Sequence, residues 1–165
     1  MKRAFTLIEL IFVIIIIGVL AAVSIPKFMH LKQNAEMSNI VKVTTDATTM
    51  AVEGAVNMLD LEDNDIDSFE LKDVLDLKGY NWAYVDPNNW HWGKYKFPKD
   101  AAPNNEVAII AFIKDSGERV RVLRYRINCN NIEDDVLKEK CIDAIKDQDL
   151  ADGTQDNKVE ADISF

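Results

Sequence analysis

One carboxylate stands alone in the most apolar stretch of the chain. Residues 5–25 read FTLIELIFVIIIIGVLAAVSI, and Glu9 is the single charged residue among them. Placing a carboxylate within a membrane helix costs about 2.5–3.5 kcal/mol on insertion scales, so Glu9 needs a partner cation or a route for snorkelling to the interface. Two cysteines lie late in the chain, Cys129 and Cys141. They would be free thiols in a reducing cytosol and could pair outside it. A bridge closing that short loop would stabilise by about 3 kcal/mol through loss of chain entropy, and the alternative is two small buried residues. Asp147, Asp149, Asp152 and Asp156 gather around Gly153. Ala151 falls where an EF-hand needs a ligand and no closing Glu fits, so no metal site is assigned and calcium at these four carboxylates is kept only as the alternative. His30 and His91 are too few and too far apart for zinc.

Other residue clusters have simpler readings. Trp82, Tyr84, Trp90, Trp92, Tyr95 and Phe97 share a stretch with Lys94, Lys96 and Lys99. Rings and cations together can stack on bases or sugars, but packing of the aromatics onto a sheet needs no ligand. Arg119, Arg121, Arg124 and Arg126 form a second basic strip, to be solvated or paired with carboxylates. With 19 basic against 28 acidic residues the chain carries a formal charge of −9, which disfavours non-specific nucleic-acid binding. There is no nucleophile motif, no Gly-rich phosphate loop and no Cys–His pairing. The chain reads as a non-enzyme without a cofactor.

The elements that must position Glu9 come first in the chain. A helix of ~21 residues rises ~30 Å, about one bilayer core. Lys2 and Arg3 precede it, and positive flanks stay cytoplasmic, so the C-terminal bulk is expected on the outer side. A cleaved secretory signal is the rival reading, but its apolar core is shorter and it leaves Glu9 without a role. Pro26 removes one helical hydrogen bond and should kink the helix, with Ser24 able to satisfy the freed carbonyl. Lys27, His30 and Lys32 mark the exit from the bilayer. Ile40, Val43, Ala47, Met50, Ala51, Gly54 and Met58 then recur at helical spacing as an apolar stripe, opposite Lys42, Asp46, Thr49 and Glu53.

About 140 residues follow Ile25, enough for one modest core. The acidic residues 60–67 end the long helix, near Leu59. Ser68 is the expected N-cap of a short helix stopped at Gly79. Short strands are expected within residues 80–97. Residues 106–114 and 119–128 read as a hairpin around residues 115–118. The alternation of the return strand slips between Val122 and Leu123, which a β-bulge would explain. Asn131 is the expected cap of a last helix, residues 132–147, with Ile132, Val136, Leu137, Ile142 and Ile145 inward. Residues 159–165 alternate as a final strand.

Ala4-Phe5-Thr6-Leu7-Ile8-Glu9-Leu10, the apolar run and Ser24-Ile25-Pro26 together resemble the N-terminus of type IV pilins and type II secretion pseudopilins. The resemblance is close over residues 1–26, similar in kind to Leu59, and architectural beyond. It implies an α+β fold, a long helix packed on a small antiparallel sheet. It divides the chain into a leader (residues 1–4), a transmembrane or filament-core helix (5–26), an amphipathic half (27–59) and a globular head (60–165). It implies cleavage between Ala4 and Phe5 by a prepilin peptidase and methylation of the new amine; the family usually has Gly where Ala4 stands. Glu9 would then neutralise the amine of an adjacent subunit, setting the register between copies. Many members carry a C-terminal disulfide, and some pseudopilins hold calcium in a C-terminal loop. The implied product is a structural subunit, drawn from the bacterial inner membrane into a helical homo- or hetero-polymer of pilin-like subunits. The implied partners are membrane lipid and an inner-membrane assembly platform. The alternative is a single-pass anchor carrying a periplasmic ligand-binding domain.

Overall fold

A computed structural model of the chain describes residues 6–61, 68–77, 81–88, 91–113, 122–150 and 157–165. Helix α1, Leu7–Val56, has 50 residues and runs unbroken through Pro26. At 1.5 Å per residue it is about 75 Å long. A five-residue π turn, Asn57–Leu61, continues it. Burial begins only in its second half. Met37, Ile40, Val41, Thr44, Ala47, Thr48, Ala51 and Ala55 form the covered face. That face differs from the expected stripe. Met50 points outward, 61% exposed, while Thr44 and Thr48 are buried. The threonines can be buried because each hydroxyl donates to its own helix, Thr44 Oγ1 to Ile40 O at 2.7 Å and Thr48 Oγ1 to Thr44 O at 2.6 Å. Lys42, Asp46, Thr49 and Glu53 lie on the exposed side as expected.

The buried face packs over an antiparallel meander with strand order β1-β2-β3-β4-β5. The strands are β1 (Ala83–Val85), β2 (His91–Phe97), β3 (Ala108–Ile113), β4 (Val122–Asn128) and β5 (Lys158–Ser164). Register places Tyr84, Tyr95, Ile110, Tyr125 and Ala161 in one row across the sheet. Phe112, Leu123 and Ile163 form a parallel row, and Ala108, Ile127 and Val159 another. These rows supply the core. The final strand is present as expected. The bulge expected at Val122 is not: β3 and β4 keep one register from Ala108↔Ile127 to Ile113↔Val122. Val122 simply lies on the opposite face from Leu123. The irregularity is in β2, between His91 and Lys94, where Gly93 has φ +92°. A Cβ at Gly93 would collide with the Tyr84 hydroxyl, so the strand needs glycine there twice over. The expected turn at residues 115–118 lies outside the described residues.

Two small helices complete the head. Helix α2 is only Leu71–Val74, with Glu70 rather than Ser68 as its N-cap. The Asp73 carboxylate accepts the Glu70 N–H at 2.7 Å, which closes the first turn at Glu70. Its C-cap is Leu75; Gly79 lies outside the described residues. Val74 presses so closely on α1 that a Cβ at Gly54 would lie 2.9 Å from Val74 Cβ. Helix α3, Asp135–Asp147, is capped by Asp134, whose Oδ1 accepts the Leu137 N–H at 2.9 Å. Asn131 belongs instead to the 3₁₀ turn Cys129–Asn131 and donates its amide to Glu106 O at 2.7 Å and Asn104 O at 3.1 Å. Its buried face is Cys141, Ala144 and Ile145, with Leu137 and Ile142 partly covered, while Val136, about a quarter-turn from Leu137, is 40% exposed and outside the stripe.

Cys129 and Cys141 form a disulfide, with Cα atoms 5.8 Å apart and both residues buried. It ties the end of β4 to the middle of α3. Replacing both cysteines by serine should lower the stability of the head by about 3 kcal/mol, the loop-closure value for a bridge of this span. Denaturant unfolding of the two forms checks this; equal midpoints would show that α3 docks without the bridge.

Candidate functional site

The first half of α1 is apolar on every side and uncovered. From Leu7 to Leu31 the large apolar side chains range from 40% exposed at Ile11 to 76% at Leu7. This stretch is long and apolar enough to cross a membrane. Gly18 has open space around it, leaving a notch where another backbone could approach. Ser24 Oγ donates to Leu20 O at 2.7 Å. The carbonyl freed by Pro26 is that of Ala22, one turn from a proline by helical geometry, so Ser24 does not serve it as expected.

Glu9 sits in the first turn. Its Oε2 accepts the Thr6 N–H at 2.9 Å and the Thr6 hydroxyl at 2.8 Å, while the Glu9 N–H donates to Thr6 Oγ1 at 3.4 Å. This is a reciprocal capping box, with Thr6 in an extended conformation as N-cap. A carboxylate there also meets the positive end of the helix dipole. Thr6 is a residue that attention to Glu9 alone passes over; the Thr-x-x-Glu spacing is the signal that marks it. In the isolated chain, therefore, Glu9 is held by its own helix end. Ala4 and Phe5, the expected processing residues, lie outside the described residues.

Residues 1–25 match the prokaryotic N-terminal methylation motif. The type IV narrow pilus major component PilA5 of Thermus thermophilus is 45% identical over 53 residues, 32% of this chain and 41% of that protein. The type II secretion system core protein G of Klebsiella pneumoniae is 36% identical over 63 residues, 38% of this chain and 41% of that protein. The chain is thus similar, over about a third of its length, to a type IV pilus component and a type II secretion core protein. The chain spans 41% of the length of each of these two relatives. No solved structure matches it.

In the head the aromatic stretch is packing. Trp82, Trp92 and Tyr95 are buried, and Tyr84 and Phe97 pack against the same core. Trp82 lies 5.5 Å from Phe97 and Tyr84 5.1 Å from Tyr95, ring centre to ring centre. Tyr84 donates its hydroxyl to Glu70 at 2.8 Å, which fastens β1 to the start of α2. Trp90 is outside the described residues. Lys94, Arg124 and Arg126 are paired with carboxylates, and Lys96 donates to the Ala101 carbonyl at 2.7 Å. Arg124 grips Asp162 with two bonds, 2.6 and 2.7 Å, holding the edge strand β5 to β4. Lys94 and Arg126 converge on buried Glu106 from two strands, at 3.1 and 3.3 Å. Burial alone would raise the Glu106 carboxyl; its hydrogen bonds and these two cations outweigh that and hold it below the usual range. Arg119 and Arg121 lie outside the described residues. So do Asp152 and Asp156, two of the four calcium candidates. Among the described residues no group of three or more metal-binding side chains occurs.

His91 is fully buried, opposite Ile113, with its Nδ1 accepting the Gly93 N–H at 3.1 Å. Burial, and then the charge of Lys94, push its pKa from the ordinary 6.5 down to about 4. The unfolded chain therefore takes up a proton at higher pH than the folded one, so stability is complete above pH 6.5 and declines as pH falls toward 4. The Glu106 and Asp162 carboxyls, both held low, stay charged through the upper part of that window. Thermal melting should therefore fall between about pH 6.5 and 5, and His91→Gln should remove most of that slope. An unchanged slope in the variant would assign the loss to other groups.

Proposed function

We propose that this chain is a non-enzymatic structural subunit of a type IV pilus or a type II secretion pseudopilus. The observation that carries this reading is the bare apolar half of α1 with one carboxylate in its first turn. In a bilayer, lipid covers that surface; in a helical polymer, the same half-helices of neighbouring copies cover it. The subunit thus moves from one dry environment to another without exposing the segment to water.

In this reading residues 1–4 are a leader on the cytoplasmic side, cut between Ala4 and Phe5 by a prepilin peptidase that methylates the amine of Phe5. Residues 5–26 span the bacterial inner membrane and later form the filament core, and the kink at Pro26 fits the helix into the bundle. Residues 27–59 are the half that docks on the head, residues 60–165, in the periplasm. The oxidising conditions there suit the Cys129–Cys141 bridge. An inner-membrane platform drives assembly. Glu9 exchanges its Thr6 contacts for the cationic amine of an adjacent subunit, which neutralises both charges in the dry core. Similarity to a pilus component and to a secretion core protein supports both kinds of filament equally.

Two measurements test this. Mass spectrometry of the mature protein should find an N-terminus at Phe5 with one added methyl group; an intact Met1 would remove the processing step and favour a permanent anchor. Glu9→Ala should remain membrane-inserted but reduce filament yield by roughly a hundredfold or more, the order expected when breaking a buried pair costs about 3–5 kcal/mol. Native filament levels from that variant would overturn the role of Glu9.

A further inference from the structure

A groove of about 340 Å³ lies between α1 and α3, at the edge of the head nearest the bare half of α1. Asn34, Ala35 and Ser38 line one wall, and Lys140, Asp143, Ala144 and Asp147 the other. Asp143 is 3.6 Å from Lys140, whereas Asp147 makes no ion pair with another described residue. Two carboxylates against one lysine leave the groove negative, and the small side chains of Ala35, Ser38 and Ala144 leave it room. One turn earlier on α1 stands a collar of opposite character. Lys27, His30 and Lys32 are exposed, and neither lysine pairs with a described residue.

The two features fall into register once copies of α1 are stacked. Phe5 and Glu9 are four residues apart. A neighbour whose amine reaches Glu9 is displaced toward the head by that spacing, about 6 Å. Every residue of the neighbour then lies level with one four positions later. Its Lys32 comes level with Glu36, between the groove residues Ala35 and Ser38. We propose that the groove between α1 and α3 receives the Lys32 ammonium of a second copy of this chain, with Asp147 and Asp143 as its acceptors. This interface rests on the filament reading above and adds a second register contact, outside the apolar core, to the one made by Glu9. Because it is solvated at its rim, it contributes less than the buried pair but helps reject shifted stackings.

The test uses filaments of the full-length chain. Lys32→Cys combined with Ser38→Cys should give a ladder of covalent multimers on mild oxidation, while either substitution alone should give none. Lys32→Glu should reduce the assembled fraction roughly three- to fivefold at low salt, the range of an exposed ion pair. Adding Asp147→Lys should restore it, and the defect should fade as salt is raised. Normal filaments without the ladder, or a charge swap that fails to restore assembly, would overturn the groove interface while leaving the filament reading intact. Absence of filaments from the native chain would overturn both. All three substituted residues lie at the surface, so head unfolding is a separate and measurable outcome, read from the thermal melt.

Discussion

A helix that is apolar on all sides is stable only where water is excluded, and the first half of α1 is such a helix. Its large apolar side chains from Leu7 to Leu31 have no cover from the described residues of their own chain. The second half of the same helix has a different surface, with polar residues on one side and small or β-branched residues on the other. The sheet and α3 cover that side and leave the polar side to water. The molecule is therefore a head built to hold half a helix and present the other half. The rest of the architecture follows from that division.

The head meets its task with modest means. Ala47, Ala51 and Ala55 let α1 lie close to the sheet, and Gly54 lets Val74 approach from the side. The disulfide holds α3 against the same helix. On the far face of the sheet the charged residues pair across strands: Arg124 with Asp162, and Lys94 and Arg126 with Glu106. Those pairs cover Ile109 and Ala111, which are buried on that face, opposite the one that α1 covers. The long aliphatic stems of the Lys and Arg residues do the covering.

Several features are legible in the residue pattern alone. The length and purity of the apolar run identify the membrane-length segment, and the polar side of α1 follows from helical spacing. The hydrophobic strand at residues 108–113 is legible from its continuous apolar run, and β5 from its period-two alternation. The pattern misleads where two positions compete for one role. Ser68 and Glu70 both precede a short apolar stretch, and Asn131 and Asp134 both precede α3; the cap is whichever side chain meets an unpaired N–H, and that depends on where the backbone turns. Hydrophobicity ranks side chains one at a time, which puts Met50 in the core and overlooks Thr44. A threonine bonded to its own helix loses little by burial. The apparent slip in β4 follows from counting Val122 as an inward residue, whereas a strand crossing the edge of the core can carry an apolar residue on either face.

Glu9 shows the same boundary most sharply. Its isolation among apolar residues, its spacing from Phe5 and the basic start of the chain are properties of the sequence, since a one-dimensional pattern is enough to state a charge that needs a partner. Which partner it holds is a matter of three-dimensional position. In the folded chain Glu9 bonds Thr6 at its own helix end, because that N–H and hydroxyl lie within reach in the first turn. The order of residues is thus sufficient to specify an apolar helix, a charge within it and a head large enough to stand apart. Folding settles which face of α1 is covered, where the caps fall and how the cations on the sheet are shared between Glu106 and Asp162. Those outcomes depend on distances between residues far apart in the chain, which local patterns do not contain.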